Sequence, residues 1–274
     1  MKFIFILLSI TCLGLVSCTR IVNYPEPDGP VFWGDYRQHQ TSSEKKIKVV
    51  TWNIRYSNNL EKAIWELENA VELQDTDLLL LQEVDEESVE EIAKTLGMMY
   101  VYYPASIHNH HGRNFGNAVL SKYYIKEHQK IILPFSNPKN GQIRIAVKTR
   151  VEVGGNDFLI YSVHTETNWL GNVKRNAQYD ALINSIGDDT GIVVGGDFNT
   201  MTDLSVTYLQ ERFAKNDLTH ATRGNFPTIE FLGLRFKMDH IFVNNIKVID
   251  RGVWVGTEAS DHFPLWVILE ISQL

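Results

Sequence analysis

Acidic and amide side chains stand directly after an apolar run in the C-terminal third of this chain. Residues 192–194 are Ile-Val-Val, and Gly195 and Gly196 separate them from Asp197 and Asn199. Three β-branched residues in a row predict a strand buried on both faces, and the glycines are expected to end it and to allow a close neighbour. Catalytic groups are often held where such a strand opens into a loop, but Asp and Asn are also common turn residues. Alone, this stretch leaves catalysis and turn capping as two open interpretations.

Polar residues of the same kinds follow other apolar runs, namely Asn53, Glu83, His164, Asp239, His240, Asp261 and His262. Their carboxylate and amide oxygens suit a hard divalent cation, and their imidazoles suit proton transfer or contact with phosphate. Zinc is disfavoured, because the set has no thiolate and no His-x-x-x-His spacing. The sequence also lacks Gly-x-Ser-x-Gly and Walker motifs, so acyl transfer and nucleotide-driven work are unsupported.

Hydrophobic periodicity places these residues at the ends of strands. Strands are predicted at 47–53, 77–82, 117–121, 125–133, 143–153, 158–164, 192–194, 238–243, 248–255 and 263–271. Helices are predicted at 60–71, 89–96 and 179–186. Asp85 is expected to cap the second helix and Gly97 to end it. Strand 143–153 is expected to be half-exposed, with Arg144 on its basic face. One domain with enough strands for two packed sheets fits this order.

The N-terminal residues are typical of an export signal. An apolar run from Phe3 to Val16 follows Lys2, and Leu15-Val16-Ser17-Cys18 resembles the lipobox of bacterial lipoproteins, in which the cysteine is acylated. A chance cysteine after a plain signal peptide is the alternative. We expect a lipid-anchored, exported protein of the cell envelope, divided into a signal peptide (1–17), a polar tether that spaces the domain from a membrane (18–46) and a globular domain (47–274).

Composition and charge limit the other classes. The 274 residues are 44% hydrophobic and 22% charged, which is ordinary for a globular protein. Cys12 and Cys18 are the only cysteines, so the domain is expected to hold its core without a disulfide. A net charge of −7 gives no general attraction to nucleic acid, although the sum leaves a local basic patch open.

Seven short stretches, in this order, resemble the motif series of the endonuclease/exonuclease/phosphatase superfamily. They are Thr51-Trp52-Asn53-Ile54, Leu81-Gln82-Glu83-Val84, Gly116-Asn117-Ala118-Val119-Leu120-Ser121, Ser162-Val163-His164-Thr165, Gly196-Asp197-Phe198-Asn199, Met238-Asp239-His240-Ile241 and Ser260-Asp261-His262-Phe263-Pro264. The resemblance implies a four-layer α/β sandwich, with two mixed β-sheets packed face to face and helices outside. It also implies that the domain at 47–274 hydrolyses phosphate esters with Mg2+, or with Mn2+ as an alternative.

The same resemblance assigns roles residue by residue. Glu83 would bind the metal directly, with Asn53 beside it and Asp261 near by. His164 and Asn199 would contact phosphate oxygens as the transition state forms.

The resemblance also assigns proton transfer to two residues, Asp239 and His262. Asp239 would orient His262, and the pair would take the proton from the attacking water. Asp197 is the rival base, although an Asp pKa near ~3.9 is less well matched to neutral pH than an imidazole pKa near ~6.5.

Further residues are less specific in their signal. Asn117, Arg113 and Arg144 are assigned as candidate substrate-binding residues. For Arg144 a structural ion pair is an equal alternative to contact with a phosphate. His108, His110 and His111 crowd a loop beside Arg113, where either a grip on phosphate, a second metal or a plain solvated loop would fit. Arg175 and Gln178 follow Trp169 at a helix start and are expected to border the cleft.

The second motif and the net charge of the chain both bear on the substrate class. Abasic-site endonucleases carry Leu-Gln-Glu-Thr-Lys at the second motif, whereas this chain has Leu81-Gln82-Glu83-Val84-Asp85. With the acidic balance and the export signal, this argues against genomic repair. We expect a monomeric phosphodiesterase or phosphomonoesterase acting outside the cytoplasm on a small or lipid-linked ester. The alternatives are an exported DNA or RNA endonuclease and a catalytically inactive binding lipoprotein.

Overall fold

The computed structural model describes residues 21–37, 45–109, 111–167, 171–186, 191–224 and 226–271. The predicted signal peptide, Cys18, His110 and Trp169 lie outside these ranges.

The described part of the chain forms strands and four α-helices. The strands are β1 (Phe32–Asp35), β2 (Lys46–Asn53), β3 (Leu78–Val84), β4 (Met99–Ile107), β5 (Asn114–Ser121), β6 (Tyr124–Leu133), β7 (Arg144–Val153), β8 (Asn156–His164), β9 (Ile192–Asp197), β10 (Thr219–His220), β11 (Ile229–Phe231), β12 (Leu234–Phe236), β13 (Asp239–Asn244), β14 (Lys247–Val253) and β15 (Leu265–Glu270). The helices are α1 (Leu60–Asn69), α2 (Glu86–Leu96), α3 (Asn172–Asn184) and α4 (Asp203–Ala214). None of the described helices is long and apolar enough to cross a membrane.

Two mixed sheets contain nearly all of these strands. The first has the spatial order β1-β4-β5-β3-β2-β15-β14, and the second has the order β10-β13-β9-β8-β7-β6. The pairs β2–β3 and β8–β9 are parallel, whereas the other pairs are antiparallel. Strands β11 and β12 form a separate hairpin.

The central strands are apolar on both faces because each sheet packs against the other sheet on one face and against helices on the opposite face. In β2, Ile47 and Val49 lie in the core between the sheets, whereas Val50 and Trp52 pack with residues of α1 and α2. The second sheet packs in the same way against α3 and α4. Successive strand residues point to opposite faces, so a strand buried on both sides reads as a continuous apolar run. The predicted four-layer α/β sandwich is confirmed.

The glycines of β9 allow close packing, but they do not end the strand as predicted. The strand continues through both to Asp197. A Cβ on Gly195 would lie 2.6 Å from a methyl carbon of Leu80 in the opposite sheet. At Gly196 the φ angle is 153°, and a Cβ would lie 1.9 Å from the carbonyl oxygen of Val163. The backbone of Val163 therefore excludes any larger residue at position 196, whereas at position 195 the Leu80 side chain would have to move.

Residues 21–37 pack against the domain, although their polar, proline-containing sequence predicts a tether. Strand β1 pairs with β4, and Asn23 forms a bridge to Ser106. The ammonium group of the fully buried Lys130 donates to the carbonyls of Tyr24, at 3.1 Å, and Gly29, at 2.6 Å. The domain therefore begins before Ile47, and its first strand was missed because prolines and a glycine interrupt the local pattern.

Helix α1 is shorter than its apolar pattern predicts. It ends at Asn69, and Val71 lies beyond it with 77% of its surface exposed. The predicted caps of α2 are both present, since Asp85 accepts a hydrogen bond from the Ser88 amide at 2.9 Å and Gly97 is left-handed with φ of 61°.

Candidate active site

Strand register brings the polar residues of both sheets to one edge of the sandwich. In the first sheet, β2 and β3 run parallel, so Asn53 lies opposite Gln82, the neighbour of Glu83. In the second sheet, Asp197 pairs with His164 of β8 and with Asp239 of β13. We call this end of the sandwich, with its connecting loops, the catalytic edge.

A β-bulge separates the neighbours Gln82 and Glu83. The pairing of β3 with β5 shifts by one residue here, and Glu83 has a left-handed φ of 56°. Gln82 donates to the hydroxyl of Ser162 in the other sheet at 3.0 Å. Burial raises the pKa of the Glu83 carboxyl, while the charge of Arg144 and a hydrogen bond from Asn53 partly oppose this. A left-handed non-glycine residue costs on the order of 1–3 kcal/mol, so this carboxylate is held at the expense of strain.

Asp197 lies at the centre of the cluster and is buried. Its Oδ2 accepts a hydrogen bond from the side-chain amide of Asn53 at 3.2 Å, and its Oδ1 accepts from the backbone amide of Asn199 at 2.8 Å. Its Oδ2 also lies 3.6 Å from Nε2 of His164. Burial raises the pKa of Asp197 to about 7 against the opposing charge of His262.

His262 and Asp239 form a closely bonded pair. Nδ1 of His262 lies 2.8 Å from Oδ2 of Asp239, and Nε2 of His262 lies 3.9 Å from Asp197. The indole of Trp52 donates to the His262 carbonyl at 2.9 Å and so fixes the backbone that carries the ring. Burial opposes the charged imidazolium, but the carboxylates of Asp239 and Asp197 outweigh it and raise the pKa of His262 to about 10.

His164 contacts a buried ion pair. Nη1 of Arg144 lies 3.3 and 3.2 Å from the two ring nitrogens of His164. The guanidinium Nε also donates to Glu166 at 3.2 Å, and the two side chains are only 8% and 0% exposed. Burial, followed by the charge of Arg144, holds the pKa of His164 well below its usual range. Arg144 is therefore buried at the catalytic edge, so its predicted place on an exposed basic face was wrong, whereas the predicted alternative of an ion pair is present.

Asn199 stands at the beginning of the loop after β9. It is left-handed with φ of 52°, and its side-chain amide donates to the carbonyl of Thr165 at 3.0 Å. The buried Arg175 donates to the Asn199 carbonyl at 3.4 Å. Gln178 accepts a hydrogen bond from the Glu166 amide at 2.9 Å. Both α3 residues therefore support the loops of the catalytic edge.

The remaining predicted residues lie on the rim or behind the cluster. The Asp261 side chain is 43% exposed and lies 3.5 Å from Arg55. Arg113 is exposed, pairs with Asp85 at 2.6 Å and donates to the carbonyl of Tyr56 at 2.9 Å. Asn117 is buried and donates to the carbonyls of Ile145 and Ser162, so it links the sheets behind the cluster. Their assigned roles stay predictions.

Three residues of the edge were not found from the sequence, namely Tyr56, Phe115 and Glu166. The ring of Tyr56 lies 4.3 Å from that of His108 and 5.6 Å from that of Phe115. Phe115 lies 5.9 Å from the ring of His164. Glu166 follows His164 by two residues, which is the only local signal that could have indicated it.

Donor atoms suited to a metal ion converge here. One ligand atom each from Asp197, Asp239 and His262 lie within 4.8 Å of one another, and all three residues are buried. Oδ1 of Asp239 has no hydrogen-bond partner among the described residues. Glu83 and Asn53 add a carboxylate and an amide beside this group. Such a set could hold a metal ion, and its chemistry favours a hard cation.

The sequence matches the family model described as "Endonuclease/Exonuclease/phosphatase family" over residues 50–262. The chain belongs to this family. Members of the endonuclease/exonuclease/phosphatase family hydrolyse phosphate esters. No curated protein gives a significant sequence match to the chain.

Solved structures share the fold at low identity. An endonuclease/exonuclease/phosphatase from Beutenbergia cavernae has a TM-score of 0.70 and 19% identity, covering 84% of this chain and 72% of that one. A mannosyl-6-phosphatase from Bacteroides thetaiotaomicron has a TM-score of 0.64 and 20% identity, covering 82% of this chain and 100% of that one. A D. rerio TDP2 complexed with single strand DNA product has a TM-score of 0.65 and 16% identity, covering 83% and 100%. The similarity shows that the chain has the family fold.

Proposed function

We propose that the chain is a metal-dependent phosphoesterase that acts outside the cytoplasm on a small or lipid-linked phosphate ester. The observation that carries this proposal is the buried cluster at the catalytic edge. It combines the Asp239–His262 pair, Asp197 beside it and the Arg144–His164 contact. The cluster thus holds groups for proton transfer next to groups that bind an anion.

The residues present fit a divalent cation. Glu83, Asp197 and Asp239 crowd carboxylates into a buried place, and Oδ1 of Asp239 is buried without a hydrogen-bond partner in the described ranges. Glu83 and Asn53 would hold Mg2+, or Mn2+, with Asp261 on the rim. The bound ion would supply positive charge that neutralises a phosphate oxygen and the developing charge of the leaving group.

The chain's own residues provide a place for the water proton. Asp239 holds Nδ1 of His262, which leaves Nε2 directed to the space near Asp197. Either Nε2 of His262 or the Asp197 carboxylate accepts the proton. Added positive charge near both groups would lower both pKa values, so neither assignment follows from the pKa directions alone.

Arg144 and His164 are suited to contact the phosphate. The guanidinium is buried, charged and oriented by Glu166, and the neutral imidazole of His164 can donate a hydrogen bond. Asn199 lies at the same edge next to Asp197. These groups are already ordered by their neighbours, so they need little rearrangement when charge develops on the phosphate.

The net charge of the chain and the ion pairs of its arginines favour a small substrate. Among the solved neighbours, one is named a mannosyl-6-phosphatase and another was complexed with single strand DNA product, so the fold alone does not decide. The net charge of −7 and the engaged state of Arg113 and Arg144 favour an ester with one or two phosphates over a nucleic-acid backbone. An exported nuclease and an inactive binding lipoprotein are the alternatives.

A substrate panel tests the proposal. Purified full chain is assayed on phosphomonoesters, phosphodiesters, phospholipid dispersions and supercoiled plasmid, with Mg2+ and with chelator, using His262→Ala as the background. We expect chelator-sensitive turnover of the small or lipid esters with weak salt dependence. Plasmid nicking with a steep salt dependence and no small-ester turnover would establish the nuclease instead. Phosphate binding without turnover of any ester would indicate the binding lipoprotein.

A further inference from the structure

The hairpin of β11 and β12 presents large apolar side chains to water. Phe231, Leu232 and Leu234 are 64%, 86% and 62% exposed. Single exposed apolar residues are normal in soluble proteins. Three of them at the tip of one short hairpin form a contiguous patch, and such patches mark surfaces that meet a partner or a membrane.

The turn of this hairpin is also strained. Phe231 pairs with Leu234, so Leu232 and Gly233 form a two-residue loop with φ angles of 52° and 75°. Asn, Asp or Gly normally occupies the first position of such a turn, because its φ is positive. Leucine is therefore unfavourable here both for its backbone conformation and for its exposure, and strain of this kind is typical of functional segments.

The base of the hairpin is joined to the catalytic pair. Ile229 forms a bridge with His262, and the Phe263 amide donates to the carbonyl of Thr228 at 2.6 Å. The hydroxyl of Thr228 accepts hydrogen bonds from the backbone amides of Met238 and Asp239, at 3.0 Å each. Whatever surface the tip contacts is thus held close to the active site.

Other exposed apolar side chains lie on loops and helix starts of the same catalytic edge. Phe135 follows β6, Met201 and Leu204 follow β9, and Val255 follows β14. Val173 lies in the first turn of α3, and Val22 is bonded to Ile107 at the end of β4. Each is between 41% and 84% exposed. Exposed apolar side chains such as Trp33, Trp65 and Val71 also occur away from this edge, so the distinguishing feature is the hairpin tip, where three of them adjoin.

The chain also enters the domain at this edge. The Ile107 amide donates to the carbonyl of Val22 at 2.8 Å, and the loop after Ile107 carries His108, whose ring lies against Tyr56. Cys18, the expected lipid anchor, precedes Ile21 by three residues, which span at most about 11 Å. An acyl chain at Cys18 would therefore hold the catalytic edge close to the bilayer.

We propose that the catalytic edge rests on a lipid bilayer, with Phe231, Leu232 and Leu234 inserted at the interface, so that the site acts on phosphate esters at the membrane surface. The substrate part of this proposal rests on the proposed phosphoesterase function, whereas the membrane contact does not. A protruding tip suits insertion among lipids, where the apolar side chains leave water. The nearby lipobox favours the membrane over a protein partner.

A fluorescent label tests the contact directly. The full chain is reconstituted in phosphatidylcholine/phosphatidylglycerol vesicles with an environment-sensitive dye at Leu232→Cys or, as the matched control, at Val71→Cys. Val71 is 77% exposed and follows α1 at the opposite edge, so only its position differs. The unsubstituted chain measures any background labelling of Cys12 and Cys18. We expect a blue shift and quenching by spin-labelled lipid at 232 but not at 71. Equal spectra at both positions would overturn the proposal.

A second variant tests the consequence for turnover. Leu232→Asn places an Asn-Gly pair in a turn that favours it, so folding is preserved while the most exposed apolar side chain of the tip is removed. We expect turnover of a phosphate ester in vesicles to fall by roughly tenfold, with kcat/KM on a water-soluble ester unchanged. Equal loss on both substrates would contradict the proposal. If no ester is hydrolysed, the proposed function fails, while the label still reports the membrane contact.

Discussion

The side-chain amide of Asn53 donates a hydrogen bond across the sandwich to Asp197, with 3.2 Å between nitrogen and oxygen. Asn53 belongs to the first sheet and Asp197 to the second, so this bond joins the two sheets within the candidate active site. The same amide also stabilises the charged form of Glu83. Asn53 thus interacts with both carboxylates, one buried and one partly buried, which would otherwise repel each other.

The carboxylate of Glu83 is expected to carry the metal. Glu83→Gln keeps the shape of the side chain and removes its charge, so we expect kcat to fall about 10²–10³-fold and the Mg2+ midpoint to rise. Activity titrated with Mg2+ measures both, and circular dichroism monitors the fold. The exposed neighbour Glu87 serves as the control in Glu87→Gln. Retained activity of Glu83→Gln in chelator would contradict the metal assignment.

The Asp239–His262 pair should behave as one unit. His262→Ala should reduce kcat by roughly 10²–10⁴-fold and flatten the acidic limb of the pH–rate profile, and Asp239→Asn should cost nearly as much. The double variant should be little worse than either single one, because each removes the same function. His128→Ala, on β6, is the control histidine. Additive losses, or an unchanged acidic limb, would transfer the role to Asp197.

The Arg144–Glu166 ion pair should be costly to break. Arg144→Met leaves the fully buried Glu166 without its cation, so urea unfolding should show a loss of about 3–5 kcal/mol. The double variant Arg144→Met with Glu166→Gln should regain much of that stability but no activity. Arg150, on the same strand as Arg144, pairs with Glu127 of β6 at the same distance of 3.2 Å. This pair is more exposed, so Arg150→Met should cost no more than about 1 kcal/mol. Equal costs would refute the argument from burial.

His220 should make the fold sensitive to acid. Burial, together with the charges of Arg223, Arg251 and Lys237, lowers the pKa of this ring to about 4. The neutral form is therefore favoured in the folded protein, and its contribution is present above about pH 6.5 and lost as pH falls from there to 4. Urea unfolding at each pH measures the free energy of unfolding of the parent and of His220→Gln. Between pH 7 and pH 4 this free energy should fall by up to about 3 kcal/mol more in the parent than in the variant. Parallel curves would refute this.

Lipidation at Cys18 is expected from the lipobox. The intact mass of protein extracted from membranes should show cleavage before Cys18 and added acyl chains. Cys18→Ser should abolish both. A soluble, unacylated product cleaved elsewhere would disprove the anchor and weaken the proposed orientation on the bilayer.

A structural feature can be predicted from the sequence where the residues of a single strand or helix determine it. Apolar runs covered on both faces, the Asp85 cap and the end of β8 at His164 are local features, so they are visible in the chain. The residues that the family motifs indicate do converge at one edge. Helix α4 is not among the predicted helices, although Val206, Leu209 and Phe213 have a helical spacing.

Features that depend on distant partners could not be predicted. Arg144 alternates like an exposed strand residue, but Glu166 and His164 contact it and the ring of Phe115 in the other sheet lies 5.5 Å from its guanidinium carbon. Strand β4 contains Pro104 at a bulge, which weakens its pattern. The left-handed turn at Glu83 depends on the pairing of β3 with β5, which no window of sequence contains.

The buried ammonium of Lys130 has a practical consequence for recombinant expression. A chain cut at Ile47, the boundary that composition suggests, would lose β1 and the carbonyls of Tyr24 and Gly29 that Lys130 binds. It would expose the edge of β4, which can then pair with other molecules, and it would leave a buried charge unsatisfied. Such a protein should aggregate, whereas a chain that starts at Thr19 should remain monodisperse.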